Sequence, residues 1–592
     1  METKIGKKIL SRGTILQEMF RTTLMAMIVA DLAEIVASII DGMLTGRYLG
    51  VTSMAAYGIA SPFFSIVGVL SAVLSSGTMT IASHKIGKGD IESGKQIFSL
   101  TVFLGILFSV TLAVLGLLFR HPFSYALGAR GDLMPEVEKY VSGLVIGIPA
   151  IVLGNVLTVF LQLEGKLAHA NIAVFATVIV NLCGDSFNIF FLKGNMLGMG
   201  IATSLSYYAA LVVLLVSFMD KDSMFRFSLK EIGWKYAKAL IEKGMPKATR
   251  RVCNIIRPIA INYMIIMIGG VIAMSAYSVQ KSSGDFLELL GTCNGDVIVL
   301  LCGIFWGEEN ERALKDTMRI GYKVVFIGTM LCMILCFLFA PLIASFYLGG
   351  GAPEAVKDAA LCLRMYAFKL PFLGFNEMYL NYFQAVGDMK KSHMLSILHR
   401  LVYIVASAFV LGNLFGLIGI WMAFPVSELL LSITIIGMAA KQRGCFPLDF
   451  RAMLFLPAAF GADPADIFED TVENIDDAVR VSQRAEEFCL ARGIGSSESV
   501  RVAHCIEEMA VNSVQHGFKS GRECLEVNLV IKDRKITLRL RDNAEVFDPL
   551  KWAELSNPDD PCAHIGIRMT LRMAKDVRYV NTMKTNQVII TI

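Results

Sequence analysis

Charge is scarce in this 592-residue chain: Asp, Glu, Lys and Arg make up 18% and hydrophobic residues 55%, whereas soluble domains carry about 25% charged residues. The twelve cysteines form no CxxC pair and no Cys/His cluster at zinc-ligand spacing, so neither a disulfide framework nor a structural metal is expected. Cys183, Cys253, Cys293, Cys302, Cys332, Cys336 and Cys362 lie in apolar runs, where a free thiol packs as a small hydrophobe. No GxxxxGK[ST] phosphate loop is present, which argues against ATP-driven pumping. The shortage of charge is also uneven. From Asp463 onward about 39 of 130 residues are charged, against about 67 in the preceding 462. A disordered chain, a secreted scaffold and a single soluble domain are thereby excluded. A large membrane domain followed by a soluble one remains.

Apolar stretches of about 20 residues, enough to cross a ~30 Å hydrocarbon core, recur near 24–45, 54–84, 97–119, 139–163, 168–193, 197–218, 246–273, 285–306, 320–345, 361–386, 393–413 and 417–438. The first is too long and too acidic for a cleavable signal. Lys and Arg concentrate in alternate connections, among them Lys4–Arg12, Lys85–Lys95, Lys221–Arg251, Arg312–Arg319, Lys390–Lys391 and Lys441–Arg443. The positive-inside rule therefore predicts twelve spans with both termini cytoplasmic. The net charge of +4 divides into about +9 before Asp463 and −5 after it; basic charge on the membrane part suits an anionic leaflet, not nucleic acid. Motifs repeat with an offset of about 220 residues: Met54-Ala55-Ala56-Tyr57 returns as Met274-Ser275-Ala276-Tyr277, Pro149 as Pro371, and Gly200-Ile201 as Gly419-Ile420. Two repeated six-helix lobes are a transporter design, with the site in the cleft between them.

Acids within spans are costly and mark functional sites by default. The first span carries Asp31, Glu34 and Asp41, which at 100° per residue share one stripe. The run from Asp41 through Gly46-Arg47-Tyr48-Leu49-Gly50, followed by Met54–Pro62, resembles the first-helix signature of multidrug and toxic compound extrusion (MATE) transporters over about residues 14–440. The resemblance implies export of organic cations and related compounds in exchange for sodium ions or protons. It carries the family's first-lobe cation site onto Asp41, Asn181, Asp185 and Thr203. Independently, Asn181 and Asp185 are four residues apart and share a helix face. A seventh-helix Glu of some sodium-coupled members falls near Asn254, so a second-lobe sodium site is not expected. Asp285, Glu288, Asp296 and Glu377 are the candidate second-half acids. Arg257 is expected to compensate Glu377, and Arg250 and Arg251 to snorkel to the surface.

Beyond a Pro-bearing linker (Pro447, Pro457), the tail reads as strand 465–470, helices 473–492 and 498–517, strands 524–532 and 535–541, helix 565–575, and strands 577–583 and 586–592. Period-two alternation in Leu525–Val530 and the long helical runs predict an α+β domain. Glu507–Gly517 resembles the N-box of GHKL ATPases, closest to anti-sigma-factor serine kinases. Asp542–Pro549 and His564–Met569 resemble the two glycine boxes. The resemblance implies Mg-ATP binding, with Glu508 as general base, Asn512 on Mg²⁺, and His516, Asp542, Ala544 and Gly566 at the nucleotide. Ala544 stands where the family has Gly, so a strained positive φ is expected there.

The expected architecture is an all-α polytopic membrane domain of about twelve helices in two pseudo-symmetric bundles, followed by a cytoplasmic α+β GHKL-like sandwich. Its parts are 1–218, a connector 219–245, 246–440, a linker 441–462 and 463–592. The expected activity is cation- or proton-coupled export across the plasma membrane, with the tail regulating transport or signalling. The expected partners are an export substrate, the bilayer and an anti-sigma-antagonist-like protein. The alternatives are a membrane-anchored serine kinase that uses the helices as a sensor, and a lipid or polysaccharide flippase.

Overall fold

The computed structural model describes residues 14–49, 51–127, 129, 133–220, 223–348, 353–444, 450–457, 460–519, 523–551, 565–583 and 585–592. The basic segment Lys4–Arg12, Pro447 and His564 lie outside them. The first lobe comprises α1 (Thr14–Leu44), α2 (Val51–Gly87), α3 (Ile91–Leu118), α4 (Arg120–Ala126), α5 (Met134–Ile146), α6 (Ile148–Leu163), α7 (Leu167–Phe190) and α8 (Met196–Phe218). The second comprises α9 (Ala237–Gly307), α10 (Glu311–Leu348), α11 (Pro353–Ala367), α12 (Leu370–Ala385), α13 (Met389–Ile397) and α14 (Tyr403–Arg443).

Two of these runs are each two membrane passes. Lys247 Nζ lies 3.3 Å from Asp296 Oδ1, which no straight helix permits at 49 residues' separation, so α9 doubles back between them. In α14, Gly416 adopts φ 61°, and Tyr403 meets Thr434 at 2.8 Å across that reversal. A positive φ inside a helix is tolerated by glycine because it lacks Cβ. The pairs α5–α6 and α11–α12 each form one bent or interrupted pass, and Pro149 and Pro371 sit in the first turn of the second helix of each pair. Proline fits there because that turn's N–H has no helical partner. Among the described residues eight helices are long and apolar enough to cross a membrane, or nine if α5 and α6 together make one bent span.

The lobes meet tightly at one end. A Cβ on Gly77 would fall 2.0 Å from Leu240 O, and one on Gly307 2.4 Å from His84 O. Glycine is what allows α2 and α9 to approach this closely. Gln384 Nε2 also donates to Ser76 Oγ across the lobes at 2.7 Å.

The tail is an antiparallel sheet with helices on one face. The strands are β1 (Ile467–Val472), β2 (Leu525–Lys532), β3 (Lys535–Asp542), β4 (Asp576–Thr582) and β5 (Thr585–Thr591), in the order β1-β2-β3-β5-β4. The helices are α15 (Ile475–Ala491), α16 (Ser496–Asn512) and α17 (Ile565–Met573). Alternate residues Leu525, Val527, Leu529, Ile536, Leu538, Leu540, Val588 and Ile590 pack against Ala478, Val481, Ala485, Val502, Ile506 and Met509. Period-two patterning thus faces a period-3.6 stripe.

Candidate functional sites

Asp41 lies in the last turn of α1, and its carboxyl group is a close electrostatic neighbour of that of Asp185 on α7. Asn181 Nδ2 donates to Asp185 Oδ2 at 2.9 Å. Asp185 is fully buried, and among the described residues its Oδ1 meets no N–H or O–H donor. Thr203 is buried on the neighbouring α8, where its hydroxyl donates to Met199 O at 3.0 Å. A Cβ on Gly184 would lie 2.8 Å from that of Ala202, so α7 and α8 touch at this level. Tyr140 is a near neighbour of both acids, and Tyr207 of Asp41 and Glu34. Sequence reasoning did not single out these tyrosines, because a tyrosine in an apolar span reads as packing. Farther along α1, Cys293 Sγ donates to Asp31 at 3.3 Å, while Glu34 has Asp31 and Arg251 as charged neighbours. Among the described residues no three His, Cys, Asp or Glu side chains cluster as a metal site.

The second lobe corrects two expectations. Glu377 is paired with Arg400 and with Arg250 (3.4 Å), not with Arg257. Arg250 does not snorkel. It is buried and also donates to Asn381 (3.3 Å) and Gln384 (3.0 Å). Arg257 instead neighbours Asp285, and Asn254 is exposed on α9. The network continues through Glu288, which accepts from Lys369 Nζ at 2.6 Å and from Tyr366. Glu428 is bonded by Asn376 at 2.7 Å and meets His399 at 2.9 Å. Three acids therefore face three cations here, as burial requires.

In the tail the three motifs converge at the end of α16. Glu508 and Asn512 lie one turn apart, with Asn512 Nδ2 donating to Glu508 O at 2.7 Å. The Glu508 carboxylate lies against the backbone of Gly566, occupying the place a Cβ would take. Buried Asp542 accepts from Ser513 Oγ (2.9 Å), Asn586 Nδ2 (2.7 Å) and the Ala544 amide (3.1 Å). Burial pushes its carboxyl above the ordinary value. Ala544 is not among the non-glycine residues with positive φ, so the expected strain does not arise. His516 is exposed on the single π-turn that follows α16. With a carboxylate, an amide and the start of a helix together, these residues fit a Mg-nucleotide.

The opposite face of the sheet, polar by alternation, is covered by the ends of the membrane helices. Arg541 donates to Glu308, and Gln587 Nε2 to the same oxygen at 3.2 Å. Lys532 meets Glu309 at 2.7 Å, and Arg312 pairs with Glu469. These contacts involve the second lobe. At the other edge, Thr582 donates to Leu163 O, and Arg578 donates to Lys88 O at 3.4 Å; both acceptors belong to the first lobe. Val580 and Met583 join the same apolar core as the helix ends.

Two repeated membrane lobes with a soluble ATPase-like domain docked across one end define a polytopic transport protein with a nucleotide-type appendage. The MatE family profile matches residues 26–187 and 246–409, more than half of the chain, which belongs to that family. Residues 471–592 match the histidine kinase-like ATPase domain. "Multidrug export protein MepA" of Staphylococcus saprophyticus is 22% identical over 419 residues, 70% of this chain and 90% of that protein. Among solved structures, an outward-facing multidrug resistance MATE transporter aligns with TM-score 0.68 at 22% identity, covering 74% of this chain and 96% of its own. A point mutant of the Vibrio cholerae MATE transporter VcmN aligns with TM-score 0.68 at 16% identity, covering 75% and 99%.

Proposed function

We propose that the chain is a cation- or proton-coupled antiporter. It exports organic, cationic or amphipathic compounds across the plasma membrane by alternating access, with both termini cytoplasmic. The observation that carries this reading is the Asp41–Asp185 contact. Two neighbouring carboxyl groups in a buried site are tolerated best with a proton or small cation shared between them, and among the described residues Asp185 Oδ1 has no hydrogen-bond partner. Asn181 and Thr203 supply further oxygens. An entering charge is worth about 2.3 kcal/mol per 100 mV. Vesicles with separately imposed Na⁺ and H⁺ gradients test the proposal. Efflux is expected to follow one gradient and to be lost in Asp41→Asn and Asp185→Asn; unchanged gradient-driven efflux in both variants overturns it.

The tail is the regulator in this reading, binding Mg-ATP at Glu508, Asn512, Asp542 and Gly566. Support comes from its sheet, which bonds to both lobes where they are closed together. Alternating access moves the lobes apart at that end, so a rigid sheet held to both opposes the motion. Addition of a non-hydrolysable ATP analogue is expected to change the efflux rate of the full chain but not that of Asp542→Ala. A serine-kinase reading is favoured by the Glu508–Gly566 contact. It predicts loss of partner phosphorylation in Glu508→Ala with efflux intact.

A further inference from the structure

Between the polar face of the sheet and the helix ends lies a cavity of about 1000 Å³, at the upper end of small-molecule sites. Its membrane-side wall is apolar: Phe20, Leu24 and Ile28 lie along α1 at four-residue spacing, facing Ile320, Val324 and Ile327 of α10. Its roof is the sheet. There, among the described residues, Thr471 Oγ1, Arg539 Nε, Arg541 Nε and Gln587 Oε1 are buried without a hydrogen-bond partner, an expensive state for polar atoms. Thr471 is 3% and Gln587 1% exposed. Three cations line the rim, Arg21, Arg319 and Lys323; among the described residues none of them is in an ion pair. Several acids on the wall are already engaged, Glu308 by Arg541, Glu469 by Arg312 and Asp470 by Arg484. Asp316 sits 3.9 Å from Arg312 and has Arg319 as a further charged neighbour, Glu526 completes the wall, and the lining's six cations outnumber its five acids. The unspent charge is positive and lies directly above an apolar trough.

We infer that this cavity binds one anionic phospholipid, its phosphate under Arg539 and against Arg319 and Lys323, its acyl chains along α1 and α10. An organic cation is repelled by the same rim, so the cavity is separate from the export route. The inference rests on the tail lying at the cytoplasmic leaflet, where anionic lipids concentrate. A lipid held here touches α1, α10 and the sheet together, and so ties docking of the tail to lipid composition.

Full-length protein in a neutral detergent is titrated with phosphatidylglycerol or phosphatidylcholine of equal chain length, with bound lipid read by native mass spectrometry. One phosphatidylglycerol is expected to bind at concentrations where phosphatidylcholine does not. R319Q/K323Q is expected to weaken it about 30-fold, the magnitude of two charges at a headgroup. R539Q, on the sheet, weakens it too, which separates this site from general contact between lipid and helices. The charge-conserving R319K/K323R retains the lipid, separating lost charge from lost fold, and K238Q, remote and exposed, has no effect. Equal binding of the two lipids, unchanged binding in R539Q, or full competition by glycerol phosphate lacking acyl chains overturns the inference.

Discussion

Arg541 on β3 donates to Glu308 at the end of α9, and the two side chains are only 10% and 1% exposed. The pair crosses from the soluble domain to the membrane domain, 233 residues apart in sequence. Arg541 also lies over the Phe305 ring, 5.3 Å from its centroid. Removing one member of a buried ion pair strands the other's charge, at a cost of about 3–5 kcal/mol. Arg541→Gln is therefore expected to loosen the sheet from the helices while leaving the tail folded. Hydrogen exchange should report about 100-fold or faster opening at the docking face of β3 and β5, with α15 unchanged. The double variant Arg541→Gln/Glu308→Gln, with no stranded charge, should recover part of the loss.

The second-lobe network makes a parallel prediction. Glu377 answers two guanidinium groups, Arg250 and Arg400. Glu377→Gln leaves both buried and is expected to cost the membrane domain about 3–5 kcal/mol, read as a lowered thermal midpoint in detergent. Glu377→Gln/Arg400→Gln should be less damaging than the single change. Equal or additive losses would show that the groups act independently.

The tail's strands and helices were legible because alternation and long amphipathic runs sit side by side in 465–592, and local patterning determines them. The Asn181–Asp185 hydrogen bond was legible through its i,i+4 spacing. What covers the sheet was not. Arg541 and Gln587 occupy the polar positions of their strands, which ordinarily face water; only loops more than 200 residues away bury them. Arg250 was misread for the same reason. Near a helix end it looks like a snorkelling cation, and the partner that buries it, Glu377, lies 127 residues further on. Ala544 shows the reverse error: a family glycine implied a special φ that this backbone does not adopt.

At the proposed nucleotide site, stability and chemistry should separate. A Cβ on Gly566 would fall 1.7 Å from Glu508 Oε2. That oxygen ends a flexible side chain and can swing away, so Gly566→Ala is expected to shift the thermal midpoint by no more than about 2–4 °C, the equivalent of roughly 1 kcal/mol. Glu508, however, would be displaced from its place beside the helix start. Turnover or phosphotransfer with Mg-ATP should fall at least tenfold, measured by phosphate release or by phosphorylation of a partner. A large loss of stability with activity retained would contradict this assignment of the carboxylate.

Asp542 supplies a pH prediction. Burial raises its carboxyl above the ordinary 3.8, and hydrogen bonds from Asn586, the Ala544 amide and Ser513 offset part of the rise. At pH between the unfolded value and the raised native one, the native tail therefore holds a proton that the unfolded chain has released. By linkage, this residue's contribution to stability is full below pH 3.8 and declines as pH rises through the native value. Asp542→Asn cannot titrate. The stability advantage of the native residue over asparagine should accordingly shrink as pH rises from below 3.8 into the neutral range, measured by hydrogen exchange of β2 and β3 amides corrected for intrinsic rate. Should that advantage instead grow with pH, the hydrogen bonds outweigh burial. Asp542 would then be an ordinary charged acceptor, held in place for the nucleotide before it arrives.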